Sequence, residues 1–224
     1  MKKIICTMLS VVMALSMVAC GSSQNSTEEV VSSTETQSAT SDVEITETND
    51  VTPNSTGAEG NNTLVVYFSW SGHLDSMAHW VADETGGDLV RVTAKEPYPD
   101  NYNDTADRAK LEQDNDERPE INVNLTEEEM AQYNTIYFGF PVWWYDLPMC
   151  MWTFLESYDF SGKTIIPFFS HEGSSNGSNA LTRIESLATG ATVMSGDALS
   201  IRGGNVDKSE NEVREWVRNL NKEA

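Results

Sequence analysis

Residues 65–72 (VVYFSWSG) constrain the fold of this chain most, because an apolar run leads there directly into a loop of small, hydroxyl-bearing residues that opens a helix. The bulky β-formers up to Phe68 predict a short buried strand. Ser69, Ser71 and Gly72 remove side-chain bulk after it, so that backbone N–H groups can converge on an anion at the start of the helix. The segment therefore predicts a phosphate-binding loop.

Apolar, strand-like runs alternate with amphipathic helical runs through residues 63–224, which is typical of a parallel sheet covered by helices on both faces. The chain therefore belongs to the α/β class and is predicted to form a single domain. Five strands are predicted, at residues 64–69, 89–93, 135–140, 163–170 and 192–200. Helices are predicted at about residues 74–85, within 105–113, from 126, up to 157, at 179–188 and at the C-terminus.

Three loops leave the carboxyl ends of these strands, where open parallel sheets bind their ligands. The loop at residues 69–74 offers hydroxyl and amide donors, and the loop at 141–148 offers paired tryptophans. The loop at 170–177 is rich in Gly and Ser. A flat aromatic ligand that carries a phosphate would suit all three.

Two of these loops resemble the flavodoxin-like family, in the branch whose phosphate loop reads Ser-Trp-Ser-Gly-Asn-Thr and whose strand-three loop reads Pro-x-Trp-Trp. Residues 69–72 and 141–144 match these motifs, and residues 170–174 fall at the family's third flavin-contacting loop. The resemblance covers nearly all of residues 63–224. It implies a flavodoxin-like three-layer sandwich with strand order 2-1-3-4-5 and FMN as cofactor. The implied FMN-binding residues are Ser69, Trp70, Ser71, Gly72, His73, Leu74, Pro141, Val142, Trp143, Trp144, Tyr145, Ser170, His171, Glu172, Gly173 and Ser174.

The phosphate loop departs from the family where Asn-Thr is replaced by His73-Leu74, followed by Asp75. Leu74 lacks a hydroxyl donor, and the loss of one hydrogen bond to a charged phosphate costs about 1.5–3 kcal/mol. Asp75 would repel a phosphate dianion, whereas a protonated His73 would attract it. These departures predict weakened, pH-sensitive FMN binding.

The resemblance implies electron transfer, or the reduction of a quinone-like acceptor by an FMN-dependent oxidoreductase, with no catalytic side chain. One alternative is a degenerate flavodoxin-like binding module without redox activity. A serine hydrolase built from Ser71, His79 or His171, and Asp146 is disfavoured, because a nucleophile elbow needs glycine two residues before and after its serine. No histidine pair has the i, i+4 spacing of a helical metal site.

Residues 1–20 predict a bacterial lipoprotein signal peptide, because two lysines precede a short apolar run and residues 16–21 resemble a lipoprotein box. Cys20 would then carry the lipid, although a soluble secreted protein remains the alternative. Residues 21–62 are rich in Ser and Thr, acidic and without Lys or Arg, which predicts a disordered tether. We therefore expect a protein outside the cytoplasm, anchored to the bacterial cell membrane only through its lipid. A formal net charge of −21 disfavours nucleic-acid binding.

Overall fold

The computed structural model describes residues 62–223 and confirms the α/β class and the predicted strand order. The predicted signal peptide, Cys20 and the predicted tether up to residue 61 lie outside the described residues. The strands are β1 (Thr63–Tyr67), β2 (Asp88–Arg91), β3 (Thr93–Ala94), β4 (Ile121–Asn122), β5 (Thr135–Pro141), β6 (Thr164–His171), β7 (Thr192–Val193) and β8 (Leu199–Arg202). The α-helices are α1 (His73–Thr85), α2 (Tyr102–Asp114), α3 (Glu127–Met130), α4 (Met149–Ser157), α5 (Ser178–Leu187) and α6 (Glu210–Glu223).

The main sheet is parallel and runs β2-β1-β5-β6-β7, with β8 also paired to β6. Side chains of β1 alternate between its two faces, so Val66 packs with Phe138 and α4 while Val65 packs with Met77 of α1. Both faces are therefore buried, which gives the predicted three layers. Within residues 62–223, no helix combines the length and the apolar character that crossing a membrane would require.

The predicted fifth strand is interrupted rather than continuous. A short 3-10 helix at Ser195–Asp197 separates β7 from β8, and both strands pair in parallel with β6. The turn-forming sequence Ser-Gly-Asp explains the break. The predicted helix from residue 126 is only four residues long. It opens with a capping box, in which Thr126 Oγ1 accepts from Glu129 N and Glu129 Oε2 accepts from Thr126 N.

Residues 97–119 form a polar insertion rich in Asp, Asn and Pro, which is more ordered than its composition predicts. Strands β3 and β4 form an antiparallel clasp at its base, and α2 begins at Tyr102, three residues before the predicted helix. Asn101 caps α2 by accepting from the Asn103 and Asp104 amides. Buried Glu112 then fixes the helix to the body of the domain by accepting from the Tyr98 hydroxyl at 2.6 Å.

Candidate functional site

The loop between β1 and α1 exposes the start of a helix that has no side-chain cap. Gly72 occupies the N-cap position in the left-handed region, with φ of 91°, and, having no side chain, makes no capping hydrogen bond to the first-turn amides. Ser69 Oγ accepts from Gly72 N at 3.1 Å and fixes the bend. The first N–H groups of a helix have no partner within the helix and carry its positive dipole end. The loop is thus built to receive an anion.

A cleft of about 600 Å³ opens beside this helix start, at the carboxyl ends of β1, β5 and β6. It brings together residues of all three predicted loops: Trp70, Ser71, His73, Pro141, Val142, Trp143, Trp144, Tyr145, Ser170, His171, Glu172 and Ser174. Its volume falls in the range typical of pockets for small organic ligands. The loops therefore meet around one cavity, as the sheet topology predicts.

Four of the predicted binding residues do not line this cleft. Ser69 is buried and, together with Gly72, shapes the loop. The Leu74 side chain is 1% exposed and packs in the core with Met77, so that only its backbone amide is available to a ligand. Gly173 lines a neighbouring cleft of about 580 Å³ that shares Tyr145, His171, Ser174 and Ser175 with the first.

The tryptophan loop forms a two-residue turn with unusual backbone geometry. Trp143 and Asp146 exchange both backbone hydrogen bonds at 2.9 Å, and Trp144 and Tyr145 between them have φ of 46° and 69°. Such left-handed turns usually contain Asn and Gly, and the conformation costs about 1–2 kcal/mol for a residue with a side chain. Strain of this kind concentrates at binding sites. We call this segment, residues 143–146, the aromatic turn.

The three aromatic side chains of the turn have different surroundings. Trp143 packs edge-on against Phe68 and Tyr98, with ring centroids 5.4 and 4.9 Å away. Trp144 and Tyr145 are 44% and 54% exposed, and Trp144 Nε1 donates to the Ala106 carbonyl oxygen of α2 at 2.8 Å. The turn thus combines one anchored ring with two rings that are accessible from the cleft.

Helix α2 supplies a wall of the cleft that was not predicted from the sequence. Its lining residues follow the spacing i, i+3, i+4, i+7, which is the signal of a single helix face: Tyr102, Thr105, Ala106 and Ala109. Ser175 is a further lining residue that was not predicted. Trp70 Nε1 donates to the Pro99 carbonyl oxygen at 2.9 Å, which joins the phosphate loop to this insertion.

The acidic residue in the first turn of α1 is balanced by a cation. Asp75 Oδ1 accepts from the Tyr67 hydroxyl at 2.6 Å and lies 3.3 Å from Arg91 Nη1. Burial, and then the hydrogen bond to Asp75, raise the pKa of Tyr67. Arg91 Nη2 also donates to the Ser69 carbonyl oxygen at 3.0 Å. Arg91 therefore offsets the charge that Asp75 brings to the phosphate loop.

His73 and Glu172 meet at the rim of the cleft, against the backbone of Gly203. A Cβ atom at Gly203 would lie 2.8 Å from His73 Nδ1 and 2.5 Å from Glu172 Oε1. Only glycine therefore leaves both side chains in place. Gly203 is therefore part of the rim, where it meets His73 of α1 and Glu172 of the loop after β6.

The hydrolase alternative fails on geometry. His171 Nδ1 accepts from the Gly173 amide at 2.9 Å, and His79 Nδ1 is hydrogen-bonded to the Asp75 carbonyl oxygen of its own helix. Asp146 pairs with Arg183. The Ser-His-Asp relay is therefore not assembled. Residues 62–223 contain no group of three or more His, Cys, Asp or Glu side chains positioned to hold a metal ion.

Comparison with known proteins agrees with this architecture. A protein of Bacteroides uniformis ATCC 8492 assigned as a flavoprotein is 33% identical, with a TM-score of 0.60 over 71% of this chain and 99% of that one. A similarly assigned protein of Bacteroides eggerthii DSM 20697 is 25% identical, with a TM-score of 0.56 over 70% and 95%. A flavoprotein of Lactobacillus acidophilus NCFM, solved in complex with FMN, is 26% identical, with a TM-score of 0.52 over 65% and 96%.

No curated protein gives a significant match. The sequence pattern of one family, described as Flavodoxin, matches residues 62–220, which is nearly the whole of the described domain. With the sheet order and the three converging loops, this match identifies the chain as a member of the flavodoxin family.

Proposed function

We propose that this flavodoxin-family domain binds FMN and acts as a redox protein. The observation that carries the proposal is the meeting of an uncapped helix start and an aromatic turn around one cleft of about 600 Å³. The donor set suits a phosphate at one end, and the exposed rings suit a flat heterocycle at the other. The FMN-bound structure of the L. acidophilus relative supports the same ligand.

Each part of the cleft has a role in this proposal. The first-turn amides of α1, the Ser71 hydroxyl and His73 hold the phosphate. Trp143, Trp144 and Tyr145 flank the ring, and α2 shields it from water. When bound, FMN supplies the electron-transfer chemistry, while the protein binds and orients it.

The acceptor we propose is quinone-like, in other words flat and uncharged. The residues that line the cleft include exposed aromatic side chains such as Tyr102 and Tyr145, and neither Lys nor Arg is among them. A polyanionic acceptor would gain no ion pair from such a lining. The alternative is a binding module without redox activity, which the replacement of Asn-Thr by His73-Leu74 favours.

The proposal is tested by incubating the purified protein with FMN, removing free ligand by gel filtration and recording the visible spectrum. We expect a retained flavin band that dithionite bleaches and a quinone restores. A retained band whose reduced form passes no electrons to any quinone would favour the binding module. Absence of retained flavin, together with no change in flavin fluorescence on titration with the protein, would contradict the proposal.

We also propose that the protein is anchored outside the cytoplasm by a lipid on Cys20. The support is the sequence alone: the short signal-like segment, the cysteine at the end of it and the acidic tether. Cys20→Ser should move the protein from the membrane fraction to the soluble secreted fraction, because a lipid chain contributes about 0.8 kcal/mol of membrane affinity per buried methylene. An unchanged membrane fraction would contradict lipid attachment at this residue.

A further inference from the structure

Asp146, the last residue of the aromatic turn, has a partner on a distant helix. Its buried carboxylate accepts from Leu147 N through Oδ1 at 2.8 Å, and its Oδ2 lies 3.5 Å from Arg183 Nη2 on α5. Its backbone closes the turn with Trp143. Asp146 therefore joins the turn to α5, while its carboxylate also fixes the backbone at Leu147, two residues before α4.

Arg183 is held for this contact by stacking. Its guanidinium carbon lies 4.0 Å from the centroid of the Trp152 ring, a buried tryptophan of α4. Arg183 Nε and Trp152 Nε1 are both buried and have no hydrogen-bond partner in the described part of the chain. The orientation of Arg183 thus rests on the ring and on Asp146.

Arg118 provides an internal comparison. Its guanidinium carbon lies 4.8 Å from the same Trp152 ring, but its ion pairs are with Glu156 and Asp116. It has the same chemistry and the same aromatic neighbour as Arg183, without the link to the turn. A comparison of variants at the two arginines therefore distinguishes the effect of stacking on Trp152 from the effect of the ion pair with Asp146.

The aromatic turn needs such a restraint, because Trp144 and Tyr145 both hold a left-handed backbone that side chains disfavour. Strained backbone persists only where the surroundings fix it. We propose that Arg183 is a positioning residue, which through Asp146 holds the aromatic turn in the shape that forms one wall of the cleft. The consequence for flavin binding rests on the proposed function, whereas the consequence for the turn does not.

The test is hydrogen exchange of the purified full chain without ligand, followed by mass spectrometry on peptides that cover residues 142–147. Arg183→Gln should speed exchange of the Trp143 and Asp146 amides about tenfold, the effect of losing a partly buried ion pair. Peptides from β5 should be unchanged. Arg183→Lys, which keeps the charge but loses the planar stacking on Trp152, should exchange at a rate between those of the wild type and Arg183→Gln. Arg118→Gln, which spares Asp146, should exchange at the wild-type rate. Wild-type exchange in Arg183→Gln, or equal acceleration in Arg118→Gln, would overturn the inference.

If Arg183→Gln also speeds exchange in β5, Asp146→Asn decides, since it keeps the acceptor for Leu147 N but loses the charge. Faster exchange confined to residues 142–147 in that variant supports the inference. Exchange at the wild-type rate overturns it. With ligand, Arg183→Gln should weaken FMN and riboflavin by the same factor and alter the visible circular dichroism of bound flavin. If the wild type binds no flavin, the proposed function fails, while the exchange experiment still decides the role of Arg183.

Discussion

Alanine at Gly203 should impair recognition of the FMN phosphate without disturbing the fold. The new Cβ would lie 2.5 Å from Glu172 Oε1 and 2.8 Å from His73 Nδ1, whereas ordinary contacts begin near 3.4 Å. Both side chains must therefore move by up to about 1 Å, which the ends of flexible side chains can do at little cost in stability. The substitution should therefore displace side chains at the cleft rim and leave the packing of the core unchanged.

The magnitude follows from the bond that is lost. A hydrogen bond from His73 to a charged phosphate is worth about 1.5–3 kcal/mol, so the Kd of FMN should rise on the order of 10- to 100-fold. Riboflavin, which lacks the phosphate, should bind as in the wild type. Gly204→Ala is the matched control, because a Cβ there meets nothing within 4 Å. Fluorescence titration with both flavins measures the effect. Equal losses for FMN and riboflavin, or no loss for FMN, would refute this account of His73.

Three further outcomes are expected. Gly139→Ala should destabilise the domain by about 1–3 kcal/mol in urea unfolding, because its Cβ would lie 2.4 Å from the Phe168 ring; an unchanged midpoint would contradict the packing. Burial raises the pKa of the Cys150 thiol to about 12, so in a Cys20→Ser protein without its signal peptide a thiol reagent at pH 8 should label Cys150 only after unfolding; labelling of the folded protein would show that the thiol is accessible. Trp144→Ala should weaken FMN and riboflavin alike by up to about tenfold in the same titration, because stacking is lost at the ring end, and a loss confined to FMN would contradict that placement.

The positions of the central strands could be predicted because each is a continuous apolar run between turn signals, whereas their order in the sheet was implied by the resemblance to the flavodoxin-like family. Two sides of the cleft could also be predicted, because residues 65–72 and 141–148 each carry their binding groups within one short, continuous stretch of sequence. The position of α2 as a wall of the cleft could not be predicted from the sequence. Its polar sequence resembles a solvated loop, and its position depends on the bond between Tyr98 and Glu112, fourteen residues apart.

Other features depended on contacts that no local pattern encodes. Arg91 meets Asp75 only because β2 lies beside β1 in the sheet. Asp146 attracted attention as a hydrolase candidate, yet its partner is Arg183 on α5. For Arg91 and Asp146, tertiary contacts decided what local propensity left open. The fifth strand is a different case, because the local turn-forming sequence Ser-Gly-Asp at Ser195–Asp197 breaks a run that is otherwise strand-like.

In the proposed complex, one end of the cleft binds the phosphate of FMN and the other end binds the flavin ring. The most direct measurement is a side-by-side titration of the purified protein with FMN and riboflavin, followed by quenching of flavin fluorescence. We predict saturable quenching by the protein with both ligands, and a Kd for FMN at least about tenfold lower than that for riboflavin. Equal affinities would exclude a phosphate site in the cleft, and no quenching with either flavin would contradict flavin binding altogether.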